Sequence, residues 1–309
     1  MTADVTRRRA IERHRAASLR AVGGDPTAEF RGFRLVSRGR AVGFASPYLS
    51  VLHDQAGLDS SGQALTPGAG QNANAAGARS LDTQRGVADT LGLLLRHNDF
   101  DLHLRLRPDE AFQRVVFDVL EQIRCEALAP DLPGIKANVE HAFLTWCFNS
   151  RRNRVGENGL ALLIYTVTHM VRTRLVRAHI DEEVDSIIEA TRAEISPIIG
   201  TPLRELSSHI DDQAAYAVPA KELASLLHEI VSDAGEQELD DSVADARTRL
   251  LLPPEWDDID IDDVDSSEVD SGGLGRPEPS GGADVVLDSI GGYAVFTRDY
   301  DIETTGTAL

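Results

Sequence analysis

A chain of 309 residues, 42% hydrophobic and 5% aromatic, is long enough to bury a core as one large domain or two smaller ones. Its net charge of −19 is uneven: residues 1–235 hold 30 acids against 27 Lys and Arg, whereas residues 236–309 hold 20 acids against 4 Arg. A tail of that sign argues against nucleic acid as a partner, and no apolar run is long enough to cross a bilayer.

The N-terminus, MTADVTRRRAIERHR, is basic with no apolar run behind it, so no secretory signal is expected. From about Thr6 to Val22 the pattern predicts a basic amphipathic helix stopped by Gly23-Gly24. Two β-prone runs, Phe33–Ser37 and Ala41–Ala45, flank Arg38-Gly39-Arg40 and predict a hairpin. Residues 57–78 are rich in Gly, Ala, Ser, Asn and Gln and read as a flexible loop.

Helices are expected from there to about residue 233. Val87, Leu91, Leu94 and Leu95 share one face of a helix ending near His97. Asp109-Glu110 open the next, in which Phe112, Val116, Val119, Leu120, Ile123 and Ala127 form an apolar stripe. A third covers Ile135–Phe148. Leu160, Leu163, Ile164, Val167, Met170, Val171 and Leu175 mark the most apolar helix, expected at the centre of the core. Asp181-Glu182-Glu183 start another, expected to end at Ser196-Pro197 because proline disfavours the helical region for the residue before it. Leu203–Ile210 and Lys221–Val231 follow. No βαβ pattern occurs, so the fold class is mainly α: a multi-helix domain with a small N-terminal β-hairpin, then a disordered acidic tail. Glu255–Asp270 holds nine acids in 16 residues and no base, and residues 271–282 are rich in Gly, Pro and Ser, so disorder is expected over 236–290.

No nucleotide-binding loop is present. A phosphate-cradling G-x-x-x-x-G-K-[ST] loop needs a lysine after glycine, and the only lysines, Lys136 and Lys221, do not follow one. The segment Arg96–His103 packs His97, Asp99, Asp101 and His103 into eight residues. It reads either as a metal site for Zn²⁺ or Co²⁺ or as a polar turn whose side chains cap the adjoining helices. The His97–His103 separation is not that of a helical zinc motif. Cys125 and Cys147 have no CxxC spacing and read as inert helix residues in a reducing cytoplasm.

The run Leu81–Asn138 follows the pattern "RG-x-AD … LR-H-x-D … LH-x-RL-x-P … VFD-x-x-EQ-x-R-x-EAL … G-x-x-x-N". It resembles the N-terminal half of the CobT subunit of aerobic cobaltochelatase. The likeness covers roughly residues 10–235, and Tyr293–Asp301 is similar to a "Y-x-VFT-x-x-x-D" segment of that family. The resemblance implies an accessory subunit that docks a AAA+ ATPase of the CobS type, in a complex with a large chelatase subunit that inserts cobalt into a corrin ring. It implies no catalysis and no cofactor in this chain, with cobalt and ATP-Mg handled by partner subunits. The family's von Willebrand A domain binds magnesium through D-x-S-x-S. That string is absent, Asp59-Ser60-Ser61 and Asp265-Ser266-Ser267 having the wrong spacing, so such a domain is expected from a separate chain or not at all. The rival reading is an adaptor for a AAA+ ATPase outside corrin synthesis.

By the helical period Glu121 faces away from the Phe112, Val116, Ile123 stripe, with Arg124 and Glu126 flanking it. These three are contact residues for the partner on one reading, and an internal salt-bridge network on the other. The expected organisation is 1–56 helix and hairpin, 57–80 loop, 81–235 helical domain, 236–290 acidic linker and 291–309 a short β-prone segment.

Overall fold

A computed structural model describes residues 2–31, 34–42, 44, 46–48, 73–232 and 236–250, all within one unit, Met1–Asp263. The fold is mainly α, with a small antiparallel sheet near the N-terminus. Helix α1 (Thr2–Gly23) stops where Gly24 turns to φ +68°, its amide donating back to the Arg20 carbonyl at 2.9 Å. Strands β1 (Glu29–Arg31), β2 (Arg34–Ser37) and β3 (Arg40–Ala41) pair antiparallel in that order. The expected Arg38-Gly39 turn joins β2 to β3, both residues at positive φ (53° and 76°) as a tight hairpin requires. Strand β1 was not anticipated.

Helix α2 (Ala73–His97) begins inside the segment expected to be a flexible loop. Alanine is the best helix former, and the alanine-rich start of ANAAGARS extends the apolar helix upstream. Residues 49–72 lie outside the described residues. Helices α3 (Phe100–Leu106), α4 (Ala111–Ala127) and α5 (Pro133–Arg152) follow, then a short 3-10 turn at Val155–Glu157 and α6 (Gly159–Leu175). The expected apolar stripe of α6 is buried except at Met170 and Leu175, which are partly so, but the most enclosed helix is α4, every residue of which from Val115 to Glu126 is buried. It packs against α2, α6, α8 (Gln213–Val231) and α9 (Glu236–Arg249).

Helix α7 (Glu182–Leu206) starts as expected, with Asp181 accepting from the amides of Glu183 and Val184 at 2.8 and 3.0 Å. It does not end at Ser196. It runs through Pro197 and Pro202 and absorbs the start of the segment expected as a separate helix. Ile195, Ile199 and Leu206 are buried on either side of the prolines, and packing of that stripe outweighs the amide bonds the prolines remove. The Ser196 hydroxyl donates to the Arg192 carbonyl at 2.5 Å, one residue before Pro197.

The acidic segment is also corrected at its start. Residues 236–249 form α9, with Val243, Ala246, Arg247 and Leu250 buried and Leu239 partly so. Their three- and four-residue spacing is an amphipathic stripe that the surrounding acids mask in a charge count. The Trp146 indole nitrogen donates to the Leu250 carbonyl at 2.8 Å, fixing the end of α9 against α5. Residues 251–309, including Glu255–Asp270 and Tyr293–Thr297, lie outside the described residues.

Candidate functional site

Helix α4 places three carboxylates, Asp118, Glu121 and Glu126, in the interior, and each meets a base. A buried carboxylate survives only when paired and hydrogen-bonded, so these pairings determine what can surround α4. Asp118 holds α3: His103 Nε2 and Arg107 Nη2 each lie 2.8 Å from its two oxygens. His103 lies between rings, 5.0 Å from both Phe44 and Phe117, so the segment after the sheet closes over this pair.

One turn on, Glu121 accepts from Arg124 Nε and Nη2 at 2.8 and 2.7 Å. The same guanidinium donates to the His97 carbonyl at the end of α2 (2.5 Å) and to the Ile210 carbonyl between α7 and α8 (3.0 Å). Arg124 thus closes two chain ends against α4 with one planar fork. Burial is the largest single influence and opposes its charge, but Glu121, Cys125 and Tyr216 together more than offset it and the Arg124 pKa is raised. Tyr216, whose hydroxyl donates to the Leu120 carbonyl at 2.9 Å, closes the other side.

At the C-terminal end Glu126 pairs with Arg172 of α6, which also reaches Glu140 of α5 at 2.6 Å and lies 3.9 Å over the Phe143 ring. Burial raises the Glu126 carboxyl, with Arg172 and Tyr48 offsetting only part of that. Burial works against the Arg172 charge as well, yet Glu126, Tyr48 and Glu140 more than compensate and its pKa rises. Arg172 therefore stays charged, and Glu126 is the member of the pair that acid reaches first.

The expectation that Glu121 points outward is corrected. Glu121, Arg124 and Glu126 are 3%, 1% and 2% exposed and bond inside the domain. Every residue from Val115 to Glu126 is buried and α2, α6, α8 and α9 all pack on α4, so the side the sequence assigned to a surface is covered too. Arg172 and Asp118, which complete the network, were not singled out. Each is a charge inside an apolar stripe, and that incongruity was the available signal.

The structure does not bring His97, Asp99, Asp101 and His103 together as a metal centre. Asp99 caps α3, accepting from the Leu102 amide at 3.0 Å, Asp101 is exposed in its first turn, and His103 is committed to Asp118. His97 ends α2, its imidazole pKa pushed down by burial and then by Arg96 and Arg124. Among the described residues no group of three or more His, Cys, Asp and Glu could hold a metal ion. Cys125 and Cys147 are free, buried thiols; burial raises both, Cys147 to about 12, which removes the thiolate needed for nucleophilic chemistry at neutral pH.

The distant ends of the signature run meet at the α2–α5 contact. A Cβ on Gly86 would collide with the Asn138 carbonyl oxygen, so glycine permits the helices to touch. Beside it Asn138 Nδ2 donates to Asp89 Oδ2 at 2.6 Å, and burial raises the Asp89 carboxyl despite that bond. Arg96 donates to the Val22 carbonyl at 3.3 Å. Residues along the whole run, from Gly86 to Asn138, thus make internal contacts and together build one interior.

No described helix is long and apolar enough to cross a membrane. No curated protein and no solved structure is significantly similar to the chain. The family model of the cobalamin biosynthesis protein CobT matches residues 64–250, more than half of the chain, and ends where α9 ends. A protein whose signature run forms the interior of that matched region belongs to the CobT family.

Proposed function

We propose that the chain is an accessory subunit of an ATP-dependent cobaltochelatase in cobalamin biosynthesis, working in the cytoplasm. Its helical domain docks a AAA+ ATPase of the CobS type and conveys that motor's motion to a large chelatase subunit. Cobalt is the substrate, and it and ATP-Mg are handled on the partner subunits. The observation that carries this reading is the family match over residues 64–250. The interior supports it: the carboxylates and guanidinium groups along α4 are spent on one another, an arrangement suited to a rigid coupling element.

Reconstitution tests the reading. The chain is mixed with a AAA+ ATPase and a large chelatase subunit from the same genome, and cobalt insertion into the corrin is followed by absorbance. Insertion that needs this chain and ATP hydrolysis is expected. Insertion at the same rate without it overturns the subunit assignment. Stable binding of the ATPase with no effect on insertion assigns the chain to an adaptor role instead.

A further inference from the structure

The ion pair between α4 and α6 leaves part of its hydrogen-bonding capacity unused. Glu126 spends Oε2 on Arg172 Nη1, and Arg172 Nη2 goes to Glu140. Glu126 Oε1 and Arg172 Nε are both buried and have no hydrogen-bond partner among the described residues. One turn before Glu126 on the same helix lies Gln122, 1% exposed, and both ends of its amide are likewise unbonded. Residues four apart on a helix stand side by side, with about 6 Å between their Cβ atoms, so the amide and the carboxylate share one face of α4. Each unbonded buried atom has lost the hydrogen bond that water gave it in the unfolded chain. Four such atoms on three neighbouring residues run against the near-complete pairing of protein interiors.

We propose that an enclosed water between α4 and α6 bridges Gln122 to the Glu126–Arg172 pair. The unbonded atoms are two donors, Arg172 Nε and Gln122 Nε2, and two acceptors, Glu126 Oε1 and Gln122 Oε1. Water suits a mixed set, since it gives two hydrogens and accepts two, and a buried water makes about three hydrogen bonds. Here it accepts from the Arg172 guanidinium, donates to the Glu126 carboxylate and takes one end of the Gln122 amide, with a second water in contact with the first at the other end. A cation would stand against the Arg172 charge and an anion against Glu126, so an ion fits neither side. The enclosed water completes the hydrogen bonds of the pair and does not replace Arg172 as the counter-charge of Glu126. It also gives Gln122 a use. Glu121, Arg124 and Glu126 all bond to protein groups, and Gln122, set among them, does not.

Gln122→Met in the full chain separates a hydrated centre from a dry one by the sign of its effect. Methionine keeps the length and volume of the side chain and removes both polar ends. With the water in place the change takes away one of its anchors, and the unfolding equilibrium constant should rise about tenfold in chemical denaturation. In a dry centre the same change removes two unsatisfied atoms, and the denaturation midpoint should rise instead. The second readout uses the parent chain, so it stands even where the variant fails to fold. With glutamine labelled at its side-chain nitrogen, the Gln122 NH2 should show a magnetisation-transfer contact with a long-lived water. Absence of that contact, or a Gln122→Met protein as stable as the parent or more so, would overturn the proposal.

Discussion

Helices α4 and α5 distribute their side chains in opposite senses. Helix α4 buries Asp118, Glu121 and Glu126, whereas α5 leaves Leu144 and Phe148 in water. Asp118 and Glu126 are matched by bases from other elements, and Glu121 by Arg124 of α4 itself, whose guanidinium also reaches the His97 and Ile210 carbonyls, so these groups fix which segments stand beside α4. The exposed apolar pair, 52% and 57% exposed, leaves about half of each side chain in water and adds less to the domain's own stability than a buried pair would. Polarity inside therefore reports on how the domain folds, and apolarity outside adds comparatively little to that fold.

The sharpest way to break this comparison is Arg172→Ala. It leaves Glu126 buried beside the apolar core with its ion pair gone, and strips Glu140 of its bond. An unpaired buried charge costs about 3–5 kcal/mol, enough to unfold much of the population, and chemical denaturation should show it as a large fall in midpoint. A change under ~1 kcal/mol would mean that water already reaches Glu126.

Gly86→Ala comes next. The added methyl would strike the Asn138 carbonyl and crowd Ala142, so α2 and α5 must separate. Overpacking of this kind costs about 1–3 kcal/mol, read as a lowered Tm, with faster exchange confined at first to α2 and α5. An unchanged Tm would show that the two helices have room to spare.

How the interior responds to acid is the third measure. His169 lies in ring contact with Phe143 and Tyr165, and burial, followed by the Arg172 charge, pushes its pKa down from 6.5 to about 3. The unfolded imidazole binds its proton first, so the contribution is complete above 6.5 and is lost as pH falls toward about 3. His97 has the same sign, whereas Glu126 and Asp89, both raised, act in the opposite sense at lower pH. As pH falls below 6.5 the loss of stability should steepen, approaching ~1.4 kcal/mol per pH unit about one unit lower, and His169→Gln should flatten that slope. Equal slopes in the two proteins would locate the acid response elsewhere.

The smallest effect belongs to the outer face. Leu144→Ser exchanges an exposed apolar group for a polar one and should change unfolding free energy by no more than ~0.5 kcal/mol. A loss of several times that amount would place Leu144 in the domain's own core and erase the contrast with α4.

Much of the helical layout was legible because apolar periodicity survives in the sequence. The stripes at Phe112–Ala127 and Leu160–Leu175 mark α4 and α6, and Asp181 marks the start of α7. What escaped depended on neighbours. Pro197 breaks a lone helix, but packing of Ile195 and Ile199 holds α7 together. Val243, Ala246 and Leu250 were hidden by the acids around them, so α9 read as linker. Glu121 faces away from one stripe, and only the fold reveals the second layer of helices that covers it. The EQ-x-R-x-EAL run was recognisable as a pattern, yet its purpose was not: Arg124 acts on the His97 and Ile210 carbonyls, 27 and 86 residues away along the chain.

The fixing of Leu250 by Trp146 gives the domain a mechanical polarity. A pull on the chain beyond residue 250 meets first the hydrogen bond to the indole, then the Arg249 bonds to the Asn153 and Arg154 carbonyls, then Ala246 and Val243, each lying further back along α9. Load applied in that order peels the helix a turn at a time and does not shear its whole length at once. Helix α9 is the first part to yield under tension, and its release uncovers Trp146 and the side of α6 against which it packs, while the Arg124 and Arg172 clamps still hold α4 in place.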